Sequence, residues 1–348
     1  MFRILSIDGG GIRGIIPAKI LALLEEELGR RGMSPHICDY FDMICGTSTG
    51  GIIAIGLGLG MEANNILRLY LDNASAIFPH RSFLNKLNLV RKGKSFYESD
   101  VLRILLEEAY NNAAGESPAR IGHSHTRLCI PVYDANTGMM HVFKTSHHPE
   151  LLRDYQIPAT EIALSTAAAP VYFDSHSYKY SPKGSSQELR YDNQVDGGVI
   201  ANNPTLIGYT EALRTLDIPV EDIAILSLGT GNNLLHDQAK RLSAKYWLYE
   251  NKRFRLYDLM ASAQADYTSN LMKFFQRGVG NAGEPLFVYD RIQQSFGNDD
   301  EIGMDDSSQS SLDQLQKIGQ ELYSNNAARI LDTFFTETAA PFEPCNQL

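Results

Sequence analysis

Phe2-Arg3-Ile4-Leu5-Ser6-Ile7-Asp8-Gly9-Gly10-Gly11-Ile12-Arg13-Gly14 is a short apolar run that stops at a cluster of glycines. From Ile15 to Leu28 apolar residues then recur at helical spacing, with Glu25, Glu26 and Glu27 late. This reads as strand, glycine turn, helix. The pattern returns at once. Phe41 to Cys45 is a second apolar run, interrupted by Asp42 and ending at Gly46, and Ile52 to Leu59 beyond it is apolar nearly all round, as in a buried helix. Further strands are predicted at Arg127 to Val132, Met140 to Lys144, Ile223 to Leu228 and Leu286 to Tyr289, and helices at Glu98 to Asn111, Ile162 to Ala168 and Leu312 to Phe335. The mixture predicts a layered α/β sheet. Segments 113–125, 180–194 and 297–311 are rich in Gly, Ser, Asn or Asp and read as loops.

Composition narrows the function classes. The 348 residues suffice for a large α/β core, and 43% hydrophobic with 21% charged residues is ordinary globular composition. A formal net charge of -10 argues against a nucleic acid polymer as partner, because Lys and Arg supply the affinity for phosphate backbones. Cys38, Cys45, Cys129 and Cys345 form no C-x-x-C pair and no metal-ligand spacing, so the expectation is free thiols, a reducing compartment and no metal. The first residues turn polar too soon for a signal-peptide core, and no run approaches the roughly 18 apolar residues of a membrane span. The expected location is the cytoplasm, with peripheral membrane contact during action.

Gly46-Thr47-Ser48-Thr49-Gly50 fits G-x-S-x-G, in which small residues flank a serine because a strand must turn sharply into a helix and present the hydroxyl. Gly9-Gly10-Gly11-Ile12-Arg13-Gly14 also satisfies the dinucleotide fingerprint G-x-G-x-x-G, which would make the chain an oxidoreductase. That reading needs an acidic residue ending the next strand, where the serine elbow stands instead, and Asp8 precedes the glycines where a pyrophosphate would be repelled. A glycine turn opening a helix has a second use: its N–H groups and the helix dipole converge on negative charge. In an acyl hydrolase that charge is the oxyanion of the tetrahedral intermediate, which makes Gly10 and Gly11 candidates for the oxyanion hole.

A nucleophilic serine needs a base. Downstream of Asp196 the only histidine is His236, so a Ser/Asp/His order would rest on that residue alone. The other option is a carboxylate acting directly. Asp196-Gly197-Gly198 precedes Asn202-Asn203-Pro204 in a turn-like stretch, where an aspartate could face a dry pocket.

Together these motifs resemble the patatin-like phospholipase family: the glycine turn Asp8-Gly-Gly-Gly-Ile-Arg-Gly14, the elbow Gly46-Thr-Ser-Thr-Gly50 and the acid Asp196-Gly-Gly198, in that order. Phe41-Asp42, Ser165 through Ala169-Pro170 to Phe173, and Leu226-Ser-Leu-Gly-Thr-Gly231 are similar as well, so the resemblance covers about residues 1–231. It implies a layered α/β/α fold with a central, mostly parallel sheet and a helical C-terminal elaboration. Residues 1–231 would be the catalytic core, and 232–348 would pack on it and complete the same domain.

The resemblance also implies hydrolysis of acyl esters in membrane phospholipids or related lipids, without calcium or any cofactor. Ser48 would be the nucleophile, Asp196 the base, and Gly10 with Gly11 the oxyanion hole. Gly9, Gly14, Gly46, Gly50, Gly197 and Gly198 would support the motifs, and Arg13 would order the turn, a head-group contact being the other role open to it. A catalytically idle lipid-binding relative is the alternative, against which the intact Ser48 and Asp196 speak. Some short bacterial members are antiphage effectors switched on by a cyclic nucleotide, and this chain is similar to them in length and layout. Two basic, apolar stretches, 81–96 and 240–257, are candidates for a membrane face or lid and for an anionic regulator or a subunit contact of an oligomer.

Overall fold

The structure is a computed structural model that describes residues 1–233, 255–278, 284–297 and 301–348. Its strands are β1 (Phe2–Ile7), β2 (Met43–Gly46), β3 (Arg127–Asp134), β4 (Met139–Lys144), β5 (His176–Tyr180), β6 (Leu189–Asp196), β7 (Ile223–Leu228), β8 (Asn232–Asn233), β9 (Val288–Ile292) and β10 (Ser295–Phe296). The helices are α1 (Ile15–Arg30), α2 (Thr49–Gly58), α3 (Ala63–Ile77), α4 (Phe83–Arg91), α5 (Asp100–Ala114), α6 (Ala159–Thr166), α7 (Gly198–Ala201), α8 (Thr205–Arg214), α9 (Arg255–Arg277) and α10 (Gln309–Phe334).

β1 is buried on both faces, which is why Phe2 to Ile7 reads as a continuous rather than alternating apolar run. It pairs in parallel with β2 on one side and β7 on the other. β3 and β9 extend the parallel sheet outward, giving the order β3-β2-β1-β7-β9. Side chains alternate between two cores. Leu5, Ile7, Ile44, Ile130 and Leu226 pack with α1, α2, α3, α6 and α10, whereas Ile4, Met43, Cys129 and Ile225 pack with Ala212 of α8 and Met272 of α9. Helices on both faces of a mostly parallel sheet are the α/β/α layering expected from the sequence.

The antiparallel margin places the site. β4 takes one edge of β3 from Cys129 to Asp134. The opposite edge is shared: β2 pairs with Arg127 to Cys129 and β6 with Val132 to Asp134. β2 runs parallel to β3 and β6 antiparallel, so their carboxyl ends meet along that edge. One strand end carries the serine elbow and the other Asp196.

Several expectations are corrected. Residues 180–194 are not one loop, because β6 begins at Leu189 and pairs with both β3 and β5. Its polar sequence and partly exposed face hide a strand held by backbone pairing at the sheet margin. The last predicted strand lies at Val288–Ile292 rather than Leu286 to Tyr289, and α10 starts at Gln309, capped by Ser308. α3, α4, α7, α8 and α9 add helices to those expected.

Candidate active site

At the elbow Ser48 has φ 55° and ψ -124°, a conformation that L-residues other than glycine seldom adopt. It ends β2 and opens α2, so the hydroxyl stands clear of both. Only small neighbours permit this. A Cβ at Gly46 would collide with the Gly50 carbonyl, one at Gly50 with the carbonyl of Ile7, and one at Gly14 with Thr49. The Ser48 amide donates to Thr166 Oγ1 (3.0 Å), whose hydroxyl donates in turn to the Pro131 carbonyl (2.8 Å), tying the elbow to β3.

Ser48 Oγ donates to Asp196 Oδ2 at 2.7 Å, and the Gly198 amide donates to Oδ1 at 2.6 Å. Asp196 is fully buried. Burial pushes its carboxyl up to about 7, against the opposing pull of the Ser48 hydroxyl, the Gly198 amide and the nearby Tyr257 hydroxyl. Gly197 and Gly198 leave room for this packing, since side chains there would meet the Pro131 carbonyl and the Tyr257 hydroxyl.

The glycine turn comes within van der Waals distance of the nucleophile: a Cβ on Gly9 would lie 3.1 Å from Ser48 Cβ. Its two ends are pinned. The Gly9 amide donates to the Asn202 carbonyl (3.0 Å) and the Ile12 amide to the Met304 carbonyl (2.8 Å). Between them the Gly10 and Gly11 amides donate to no group among the described residues, and both residues line the cavity with Ser48. Arg13 is buried beneath the turn, its Nε 3.4 Å from the Gly10 carbonyl and its Nη2 3.7 Å from Asp258 Oδ1. Arg13 does not line the cavity.

Asp8, at the root of the turn, is gripped by Arg291 of β9 through two hydrogen bonds of 2.8 and 2.5 Å. Burial pushes the Asp8 carboxyl up and the guanidinium opposes it. Arg291 also donates to Ser227 Oγ (2.9 Å), which contacts Thr205 Oγ1 at 2.9 Å. Sequence reasoning missed Arg291, Thr166 and Tyr257. Thr166 lay inside the Ser165 to Phe173 stretch and Tyr257 at the end of the 240–257 stretch, neither with a role at the serine, and no local pattern marks Arg291.

The cavity in front of Ser48 has a nearly all-apolar lining that includes Ile52, Ile77, Phe78, Leu102, Phe173 and Met304. It is shaped for a hydrocarbon chain rather than a sugar or nucleotide. In the basic 81–96 segment, α4 has no buried residues, Leu84 and Val90 are exposed, and Lys86 pairs with Asp305. His236 and all but Arg255, Leu256 and Tyr257 of the 240–257 stretch lie outside the described residues. Among the described residues, no three or more His, Cys, Asp or Glu side chains group to hold a metal ion, and no helix is long and apolar enough to cross a membrane.

Comparison with known proteins follows the same line. The cGAMP-activated phospholipase of Escherichia coli (strain TW11681) is 32% identical over 357 residues, covering 98% of this chain and 94% of the relative. The cGAMP-activated phospholipase of Vibrio cholerae serotype O1 is 31% identical, covering 98% and 96%. Patatin-like protein 2 of Arabidopsis thaliana is 32% identical, covering 100% and 88%. Among solved structures, VipD from Legionella pneumophila overlaps 96% of this chain and 67% of its own at 12% identity and a TM-score of 0.42. The sequence profile of patatin-like phospholipases matches residues 5–209, and the chain belongs to that family.

Proposed function

We propose that this chain is a lipid acyl hydrolase in which Ser48 is the nucleophile, Asp196 its base, and the Gly10 and Gly11 amides the oxyanion hole. The observation that carries the reading is the 2.7 Å hydrogen bond to a fully buried Asp196 from the Oγ of Ser48, which lines an apolar cavity. An aspartate with an ordinary pKa near 4 is a poor base for a hydroxyl in water. One raised to about 7 is matched to neutral pH, where it is partly ionised and holds a proton more firmly.

Asp196 takes the Ser48 proton as Oγ attacks the ester carbonyl, and the oxyanion forms before the two unclaimed glycine amides. The same proton passes to the leaving alcohol as the carbon–oxygen bond breaks, leaving an acyl-Ser48. Water, losing a proton to Asp196, attacks the acyl carbon; the fatty acid leaves and Ser48 regains its hydrogen. No step requires calcium.

Residues 232–348 are read as completing the same domain, a reading supported by the pairing of β9 with β7 and the packing of α10 on α1. A cyclic nucleotide activator is the second reading, favoured by near-complete alignment with relatives named for activation by cGAMP. Action at a membrane surface is supported by Leu84 and Val90, exposed close to Arg91, Lys92 and Lys94. The test is fatty-acid release from phospholipid vesicles in EDTA, with and without cGAMP, alongside fluorophosphonate labelling. Release with label on Ser48 supports the hydrolase, an unlabelled serine and no release in either condition defeats it, and a rate indifferent to cGAMP removes the activator.

A further inference from the structure

The stretch Leu226-Ser-Leu-Gly-Thr-Gly231 brings a threonine to the back of the glycine turn. β1 and β7 run in parallel with Ile7 beside Leu228, so Gly9 and Thr230, each two residues beyond its strand end, leave the sheet side by side. Thr230 is 2% exposed and donates its hydroxyl to the Gly9 carbonyl at 2.6 Å. Its closeness also explains why residue 10 is a glycine, since a Cβ there would collide with the Thr230 hydroxyl. Thr230 does not itself line the Ser48 cavity.

A peptide group is one plane, and in the trans form its C=O and N–H point to opposite sides. The Gly9–Gly10 bond is trans, so the carbonyl that Thr230 holds and the Gly10 N–H are the two ends of one plane. With the carbonyl turned to Thr230, and to Asn202 Nδ2 at 3.4 Å, the N–H is turned the other way. There it meets no acceptor among the described residues, and Gly10 lines the cavity with Ser48. The next plane is held in the same manner. The Gly10 carbonyl accepts from the Arg13 amide at 3.2 Å and from Arg13 Nε at 3.4 Å, which leaves the Gly11 N–H on the opposite side. Donation to a carbonyl does more than orient the plane. It draws electron density toward oxygen and makes the N–H behind it a stronger donor, by about 10–30% per bond in a hydrogen-bonded chain.

We propose that Thr230 is a positioning residue for the oxyanion hole: through the Gly9–Gly10 peptide its hydroxyl aims the Gly10 N–H at the developing oxyanion and strengthens it as a donor. This rests on the hydrolase reading above, in which that amide faces the ester, and it adds a group that never touches the substrate. A packing role would fall to the methyl instead, because Thr230 Cγ2 also fills the space over Gly10.

The two roles are separated by Thr230→Val, which keeps the shape and deletes the hydroxyl, and Thr230→Ser, which keeps the hydroxyl and deletes the methyl. With a soluble acyl ester, Thr230→Val is expected to lose about tenfold in kcat at a little-changed KM, less than the hundredfold or more that follows loss of a whole oxyanion donor. Thr230→Ser should retain most of the wild-type kcat. A trifluoromethyl ketone gives a second readout. Ser48 Oγ bonds to its carbonyl carbon, the proton passes to Asp196, and the former carbonyl oxygen becomes an oxyanion in the hole. Its affinity should fall in step with kcat in Thr230→Val, while the pH dependence of kcat/KM stays as in wild type because the base is untouched. The Gly10 amide proton, followed by NMR in glycine-labelled protein, should move upfield in Thr230→Val and stay in place in Thr230→Ser. An unchanged kcat in Thr230→Val, or an equal loss in Thr230→Ser, overturns the proposal. Should Thr230→Val not fold, Thr230→Ser against Thr230→Ala repeats the comparison without the methyl. Failure of the hydrolase reading looks different: wild-type protein would neither cleave the ester nor bind the ketone, while the Gly10 amide proton would still move in Thr230→Val.

Discussion

The two halves of the site are built by opposite means. The elbow and glycine turn, between Asp8 and Gly50, are made by deleting side chains: Gly46 and Gly50 let backbone press on backbone, and Gly9 and Gly14 admit neighbouring side chains, so that Ser48 lines one cavity with Gly10 and Gly11. The part after residue 255 works by reaching in, with three large polar side chains and one backbone carbonyl. Arg291 clamps Asp8, Asp258 faces Arg13, Tyr257 flanks Asp196, and the Met304 carbonyl pins the turn. Closeness by deletion fixes where the reacting atoms can be. Reach from a distant segment fixes whether they stay there.

If that contrast is right, removing space should harm folding itself. Gly50→Ala drives a methyl group into the Ile7 carbonyl of the neighbouring strand, where backbone cannot yield cheaply. The expected cost is about 3 kcal/mol or more, seen as a large fall in Tm or as insoluble protein; an unchanged Tm would break the packing argument.

Removing a clamp should cost nearly as much for a different reason. Arg291→Met leaves the Asp8 carboxylate buried and unpaired, worth about 3–5 kcal/mol. Much of this should return in Arg291→Met/Asp8→Asn, because the second change removes the stranded charge. Denaturant melts of the two single mutants and the double mutant give the coupling, and additive effects would show that the ion pair is not what holds the turn.

A smaller effect is expected at the strut between the halves of the sheet margin. Thr166→Val deletes the acceptor for the Ser48 amide and the donor to Pro131, costing about 1–3 kcal/mol of stability through stranded polar groups. The elbow should loosen, and kcat should fall by more than KM rises. The smallest effect lies away from the site, at Glu25, which caps the Ala63 amide and is pushed by burial up to about 8. Its folded pKa is raised, so the stability it contributes is full below about pH 4 and is lost progressively as pH rises through about 8. Glu25→Gln should flatten the decline of Tm between about pH 5 and 8, where the unfolded carboxyl has ionised and the folded one still holds its proton; an unaltered decline would show that Glu25 is not its source.

The same contrast explains what the sequence revealed. Glycine runs, a serine between small residues and Asp-Gly-Gly are local patterns, and each sits at a strand end that periodicity also marks. Their meeting across the chain required only the order of motifs. Arg291 reaches Asp8 from 283 residues away, out of a strand whose boundary the pattern misplaced, and no spacing rule joins the two. β6 was hidden because its Arg190, Asp192 and Asn193 face outward while its backbone does the pairing. α3 is the opposite case, since Ile66, Leu67, Tyr70, Ala74 and Ile77 fall on one buried face at helical spacing and could have been read.

The central claim is that a buried carboxylate, raised by its surroundings, activates Ser48 without a histidine. The most direct test is kcat/KM for a soluble acyl ester from pH 5 to 9, in wild type and Asp196→Asn. As a base, Asp196 must be ionised, so wild-type activity should rise with pH along a single limb centred at about 7, the value set by its burial. Asp196→Asn should lose about 1000-fold or more and show no such limb. Activity that keeps both its level and its pH limb in Asp196→Asn would contradict the account and hand the role of base to another residue.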